Sequence, residues 1–349
     1  VHRSDRLLET LAPYDQIVLV THPNPDPDAL ASMMGLQAIL AVRQPGKPVR
    51  LTLEGIVARA ENQAMVRVLE IPLIPAEDQQ VGPRCAVVMV DSQPRLGAPP
   101  GVIPDPIVVL DHHETPGRLE GVKFRDIRPR AGATATMIVG YLIEQGISPS
   151  PRLATALYYG IESEISGYPR EAGPADDGAL VWLFPRADKD LLAEIRNPRL
   201  PQSYFATFHE ALGTARLYGN TVIAWCGEVP QPDIIAELAD FFIRFDQVDW
   251  ALTLGVFDGT LKLSLRADHI GGQAGEVLRD ALEGVGSAGG HDKRAGGVAV
   301  VEKNRPDALT DLLATIETQF LDRLGIESRE GRPLMDAPRM DNGADLGSG

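Results

Sequence analysis

Three short runs near the start of the chain, Ile17–Val20, Cys85–Val90 and Ile107–Leu110, are apolar on both faces. A strand with no polar side must be covered on both sides, and a parallel sheet packed under helices provides that cover. Parallel neighbours need long crossover connections, and helix-patterned stretches follow the first two predicted strands. The pattern predicts a helix over 3–12, a strand over 16–21, a helix over 28–43, a strand over 49–53 and a helix over 60–69. Strands over 85–91 and 107–111 follow, then helices over 133–145 and 151–165. The expected fold is α/β: an N-terminal, mostly parallel sheet flanked by helices, followed by a smaller C-terminal α/β domain. In such sheets ligands gather beyond the carboxyl ends of the strands.

Those ends carry unusual chemistry. The first run stops at Thr21-His22 and continues as Pro-Asn-Pro-Asp-Pro-Asp-Ala, residues 23–29. Prolines 23, 25 and 27 fix φ and hold the residues before them extended, so the loop is stiff. Residues two apart in an extended stretch point the same way, which predicts that Asp26 and Asp28 project together with His22 close by. Alone, this loop reads equally as half of a divalent-metal site or as turn chemistry with Asp28 capping the next helix. The second run ends in Asp91-Ser92 and the third in Asp111-His112-His113. Three strands that deliver carboxylates and imidazoles to one sheet edge favour the metal site. Carboxylates mixed with imidazoles and lacking thiolate suit Mn²⁺, Mg²⁺, Co²⁺ or Fe²⁺. The supply exceeds one ion, so a carboxylate shared between two is expected; a pair about 3.5–4 Å apart stabilises the attacking and leaving oxygens of an in-line displacement at phosphorus. Phosphoester hydrolysis is the leading chemistry.

The second half begins with a strand over 221–226, a helix over 232–245 and a hairpin over 250–266 turned by Asp258-Gly259. A helix near 273–283 leads into a glycine-rich loop, residues 284–297, and a final strand and helix close near Leu324. The loop reads either as backbone able to approach a ligand, with His291, Lys293 and Arg294 supplying charge, or as a flexible turn. Its Gly-x-Gly-x-x-Gly spacing is discounted because no strand of a first βαβ unit precedes it. The expected organisation is a catalytic domain over 1–190, a helical linker over 191–219, a substrate domain over 220–324 and a disordered tail over 325–349.

With 349 residues the chain is long enough for two cores, and its formal charge of −15 argues against a surface that grips long nucleic acid. A short phosphorylated substrate held by metals and a few arginines remains compatible with that charge. No apolar run is long enough to span a bilayer, and the first residues lack the apolar core of a signal peptide, so a cytoplasmic protein is expected. Cys85 and Cys226 sit in apolar strand-like runs and read as buried free thiols.

At this point the sequence resembles the DHH phosphoesterase superfamily, named for the triplet seen here as Asp111-His112-His113, and within it the branch of oligoribonucleases and 3′-phosphoadenosine-5′-phosphate (pAp) phosphatases. The family's first motif stands here as His22 to Ala29, its second as Asp91 in Val-Asp-Ser, and its helix start as Gly-Ala-Thr-Ala-Thr, 132–136. Gly289-Gly290-His291 with Ala295-Gly296-Gly297 is similar to the motif of the associated C-terminal substrate domain, so the likeness runs over roughly residues 5–322. It implies one Mn²⁺ on His22, Asp26 and Asp91 and a second on Asp28, Asp91, His112 and Glu164, with Mg²⁺ or Co²⁺ as alternatives. His113 would contact the scissile phosphate, and Asp111 would hold the strand end or orient a ligand. Arg266, Gly289, Gly290, His291 and Arg294 would hold the far part of a short oligonucleotide or nucleotide phosphate across an interdomain cleft. No long duplex and no membrane is implied as partner, and the sequence argues neither for nor against an oligomer.

One position departs from the family. Where its fourth motif reads Gly-Ile-x-Thr/Ser-Asp-Thr, this chain has Gly160-Ile161-Glu162-Ser163-Glu164-Ile165. The extra methylene of Glu164 displaces its carboxylate by about an ångström unless the backbone compensates, which active sites tolerate poorly. Two competing expectations follow: pyrophosphatase or exopolyphosphatase chemistry on the same ions, and a nucleotide-binding regulatory module with weakened catalysis.

Overall fold

The apolar runs lie side by side at the centre of a parallel sheet in the computed structural model, which describes residues 2–94, 103–114, 117–166, 172–269, 271–290, 292–302 and 307–335. Two units are resolved, Val1–Arg199 and Leu200–Gly349.

The first unit contains α1 (Arg3–Leu11), β1 (Gln16–Val20), α2 (Pro27–Arg43), β2 (Val49–Leu53), α3 (Ala60–Val68), β3 (Leu73–Pro75), β4 (Cys85–Val90), β5 (Val108–Asp111) and β6 (Phe124–Ile127). Helices α4 (Thr134–Glu144), α5 (Pro151–Ser166), α6 (Pro174–Leu183) and α7 (Lys189–Arg196) complete it. All six strands are parallel in the order β3-β2-β1-β4-β5-β6. The register sets Leu19 beside Leu51 on one side and Val88 on the other. Ile17, Leu19, Val88 and Leu110 pack with Leu30, Met33, Ile138 and Leu157, while Val18, Val20 and Val87 form a separate buried cluster. Both kinds of side chain are out of water, as strands lacking a polar face require. The chain runs from β1 outward to β3, then returns past β1 to lay down β4, β5 and β6. β1 and β4 are therefore neighbours leading in opposite directions, and the crevice beyond their carboxyl ends is the ligand position of such sheets.

The second unit contains α8 (Gln202–Thr214), β7 (Arg216–Tyr218), β8 (Thr221–Glu228), α9 (Asp233–Phe242), β9 (Trp250–Phe257), β10 (Thr260–Ala267), α10 (Ala274–Ala281), β11 (Gly286–Gly290), β12 (Arg294–Val300), α11 (Ala308–Arg323) and β13 (Arg332–Pro333). Its seven-stranded sheet, ordered β11-β12-β10-β9-β8-β7-β13, is mixed: β8 and β9 pair in parallel and the other pairs are antiparallel. Asp258 at φ 48° and Gly259 at φ 70° turn the β9–β10 hairpin with the left-handed pair such turns need. One face packs on α10 and α11 through Leu254, Leu263, Leu278 and Phe320, the other on α9 through Ala224, Cys226 and Leu238.

Four expectations change. No separate linker spans 191–219: α7 falls in the first unit, and α8 and β7 fall in the second. The glycine-rich stretch is largely strand, Gly286–Gly290 pairing with Ala295–Ala299, because glycine carries no periodicity from which pairing could be read. In the segment expected to be a disordered tail, Arg332 and Pro333 pair with Leu217 and Arg216, and residues 336–349 lie outside the described residues. Cys226 is a buried free thiol pushed up to about 12 by burial, whereas Cys85 is only partly buried. Among the described residues no helix is long and apolar enough to cross a membrane.

Candidate metal centre

Asp91 follows β4 with φ at 56°, a left-handed conformation that costs a non-glycine residue on the order of 1 kcal/mol. Its backbone N–H is fixed to the Leu110 carbonyl of β5 at 2.8 Å, and its carboxylate stands between two imidazoles. Oδ2 lies 3.7 Å from His22 Nε2, and Oδ1 lies 3.5 Å from His112 Nε2. His22 Nε2 is also 3.8 Å from Asp26 Oδ2, and His112 Nε2 is 3.7 Å from Asp28 Oδ2. The ends of β1, β4 and β5 thus bring six of the candidate residues together: His22, Asp26, Asp28, Asp91, His112 and His113.

The first loop is arranged differently from the expected extended stretch. Asn24 has φ at 59°, which breaks the alternation. Asp26 is the residue that caps α2, its Oδ1 accepting from Ala29 N at 2.9 Å, and Pro27 stands at the start of the helix where its missing N–H costs nothing. Asp28 lies in the first helical turn. Asp26 therefore approaches His22 and Asp28 approaches His112. Asp28 also receives the free amides at the start of α4, with Oδ2 accepting from Thr134 N and Oδ1 from Ala135 N, both at 2.7 Å. α5 comes close enough to enclose this loop because Gly160 has no side chain: a Cβ there would lie 2.9 Å from both Pro27 O and Ala31 Cβ.

The imidazoles are oriented by their second nitrogens. His112 Nδ1 is 3.1 Å from the Ala131 carbonyl and His22 Nδ1 is 3.0 Å from the Pro23 carbonyl. Carbonyls only accept, so each Nδ1 carries the proton and each Nε2 turns a lone pair toward carboxylates. His113 Nδ1 donates to Asp111 Oδ1 at 2.8 Å, and Gln93 donates from Nε2 to Asp111 Oδ2, also at 2.8 Å. Burial raises the Asp111 carboxyl, yet these hydrogen bonds outweigh it and hold the group below the usual carboxylate range. Asp28 and Asp91 are driven the other way, well above that range. Burial is the main cause for each; Asp28 also feels the charges of Asp91, Asp26 and Glu164, and Asp91 those of Asp26, Asp111 and Glu164.

Lone pairs aimed at crowded carboxylates across 3.5–3.8 Å call for positive charge between them, and oxygen with imidazole nitrogen is a donor set that divalent ions accept. Among the described residues, two groups converge with ligand atoms within 4.8 Å of one another: His22, Asp26 and Asp91, and Asp91, His112 and His113. Glu164, near the end of α5, belongs to neither group, although its charge reaches Asp28 and Asp91.

Sequence reasoning missed Gln93, and it read Thr134 only as part of a helix start. Thr134 Oγ1 donates to Asp91 Oδ1 at 2.8 Å while its amide holds Asp28. The candidate substrate residues belong to the second unit. Arg266 on β10 is 5% exposed, and its guanidinium is engaged by Asp240 at 2.5 Å, by Ser264 Oγ at 2.7 Å and by the Leu265 carbonyl. Arg294 sits opposite Arg266 in the β10–β12 register and is exposed, Gly289 and Gly290 lie on β11, and His291 lies outside the described residues.

Residues 16–161 match the family model described as the DHH family, N-terminal domain. The chain is 31% identical over 323 residues to an uncharacterized protein of Methanocaldococcus jannaschii, covering 90% of this chain and 65% of that protein. It is 24% identical over 155 residues to a probable bifunctional oligoribonuclease and PAP phosphatase of Streptococcus mutans, covering 44% of this chain and 47% of that protein. The chain thus spans less than two thirds of either relative's length. Its fold is that of an exopolyphosphatase-related protein from Bacteroides fragilis, with a TM-score of 0.62 at 15% identity over 92% of this chain and 97% of the other. The stretch that supplies His22, Asp26, Asp28, Asp91, His112 and His113 is thus the stretch, residues 16–161, that matches the DHH family's N-terminal domain.

Proposed function

We propose that this chain is a metal-dependent phosphoesterase that hydrolyses short oligonucleotides, linear dinucleotides or pAp, with Mn²⁺ as its ion. The observation that carries the reading is Asp91 standing between His22 and His112 at 3.7 and 3.5 Å, one carboxylate serving two imidazole-carboxylate groups. His22, Asp26 and Asp91 would hold one ion; Asp28, Asp91 and His112, with Glu164 from α5, would hold the second. Bound there, the ions supply Lewis acidity at the scissile phosphate and activate water.

The remaining work falls to the chain itself. Gln93 and Asp111 fix the His113 ring, so that His113 holds a proton for the leaving-group oxygen and Asp111 stabilises the imidazolium that precedes transfer. Thr134 and the α4 amides keep Asp91 and Asp28 from rotating away. The likeness to the Streptococcus mutans relative supports a nucleotide substrate. One observation favours inorganic polyphosphate or pyrophosphate instead: Arg266, the residue expected to hold a nucleotide's far phosphate, is buried and engaged by Asp240. A panel of pAp, linear dinucleotides, longer single strands and pyrophosphate with Mn²⁺ and Mg²⁺ separates these. Turnover of pAp or dinucleotide supports the reading, and turnover of pyrophosphate alone overturns its substrate. Tight dinucleotide binding without product, with turnover appearing in Glu164→Asp, would instead make the chain a regulatory nucleotide-binding module.

A further inference from the structure

Asp176, in the first turn of α6, is fully buried, and its carboxylate accepts three hydrogen bonds. Oδ2 takes the amides of Gly173 at 2.8 Å and Gly132 at 2.9 Å, and Oδ1 takes the Thr136 hydroxyl at 2.5 Å. Starting α6 requires only the Gly173 contact, and an aspartate doing that at a surface would leave its other oxygen in water. Removing a carboxylate from water carries a heavy penalty unless hydrogen bonds replace the lost hydration. Here two of the three replacements come from the segment that begins α4.

That segment also holds the ligands around His112. The Ala131 carbonyl orients the His112 ring at 3.1 Å, the Thr134 and Ala135 amides hold Asp28 at 2.7 Å, and Thr134 Oγ1 holds Asp91 at 2.8 Å. The clamp is tight: a Cβ on Gly132 would lie 2.9 Å from Asp176 Oδ2 and 2.7 Å from Ile165 Cγ2. On the other side of Asp91, His22 is oriented by its own neighbour, the Pro23 carbonyl, with no link to this segment among the hydrogen bonds of the described residues.

We propose that Asp176 is a positioning residue for the metal centre. It fixes residues 131–136 and thereby sets His112 and Asp28, the ligands that belong to the second ion alone, while the orientation of His22 does not depend on it. This rests on the proposed two-ion reading. In the full chain, Asp176→Leu keeps a branched side chain but leaves the two amides and the Thr136 hydroxyl without an acceptor, and Thr136→Val removes only the Oδ1 contact, which retains the test if the first variant folds poorly. Side-chain ¹⁵N NMR of the metal-free protein reads the tautomers: His112 loses its Nδ1-protonated form in Asp176→Leu, while His22 keeps its own. Titration with Co²⁺, followed by its visible absorption, shows one of two ions weakened about 10–100-fold, the range for lost outer contacts, and the other within about threefold. Unchanged His112 spectra, or equal weakening of both ions, overturns the assignment. A wild type that takes up no Co²⁺ overturns the phosphoesterase reading instead, and the imidazole spectra then decide the role of Asp176 on their own.

Discussion

Thr134 donates its hydroxyl to Asp91 Oδ1 at 2.8 Å, tying the first turn of α4 to the carboxylate between the two imidazoles. That bond opposes the burial and neighbouring charge that push the Asp91 carboxyl upward. Thr134→Val keeps the volume and removes the bond. Folding stability falls by about 1 kcal/mol, the worth of one hydrogen bond, while Mn²⁺ affinity falls about 10–100-fold. Calorimetric titration of the variant checks this, and unchanged affinity would remove Thr134 from the centre.

Gly160 lets α5 lie against the start of α2. A methyl group there meets backbone, since Pro27 O is 2.9 Å from its position. Gly160→Ala is expected to cost about 1–3 kcal/mol as overpacking, and to lower metal affinity as well because Asp26 and Asp28 flank the displaced atom. Urea denaturation with and without Mn²⁺ reads both; a variant as stable as wild type would mean that the helices separate freely.

Asp126 on β6 gives a pH prediction. Its carboxylate is fully buried and accepts from Arg128 at 2.5 and 3.0 Å, from Tyr141 Oη at 2.7 Å and from Arg3. Burial raises its carboxyl, but the hydrogen bonds from Arg128 and Tyr141 win, and it titrates below the ordinary value. A depressed folded-state value means that its stabilisation is present above the unfolded value, about 3.9 for Asp, and is lost as pH falls through the folded one. Asp126→Asn is therefore less stable than wild type at pH 7, and the gap narrows below about pH 4. Denaturation midpoints of the two proteins across that range test it. A gap independent of pH would contradict the assignment.

The parallel sheet was legible because Ile17–Val20, Cys85–Val90 and Ile107–Leu110 have no polar face, and the site was legible where those runs end. β6 was not, because Phe-Arg-Asp-Ile looks like a loop until the burial of Asp126 under Arg128 and Tyr141 is seen. β11 was hidden by its glycines, and β3, β7 and β13 are two or three residues long, too short for a period to show. Within the site, residue types were readable and partners were not. Asp28 reaches Thr134 across 106 positions, and Asp176 reaches Gly132 across 44. Spacing in sequence carries no trace of such contacts. The pairing of Asp26 with Asp28 failed for a local reason: Asn24 turns left-handed and Pro27 starts the helix, so the two carboxylates never share one extended strand.

Among the described residues, Asp91 is the one carboxylate placed to serve both halves of the proposed metal-dependent phosphoesterase site. Steady-state hydrolysis of pAp and of a linear dinucleotide with Mn²⁺, by wild type and by Asp91→Ala confirmed as folded by circular dichroism, tests that role. Mn²⁺-dependent turnover of at least one substrate is expected of wild type, with a loss of at least about a thousandfold in the variant, on the scale of removing a principal electrostatic element. Full Mn²⁺-dependent hydrolysis by Asp91→Ala would contradict it.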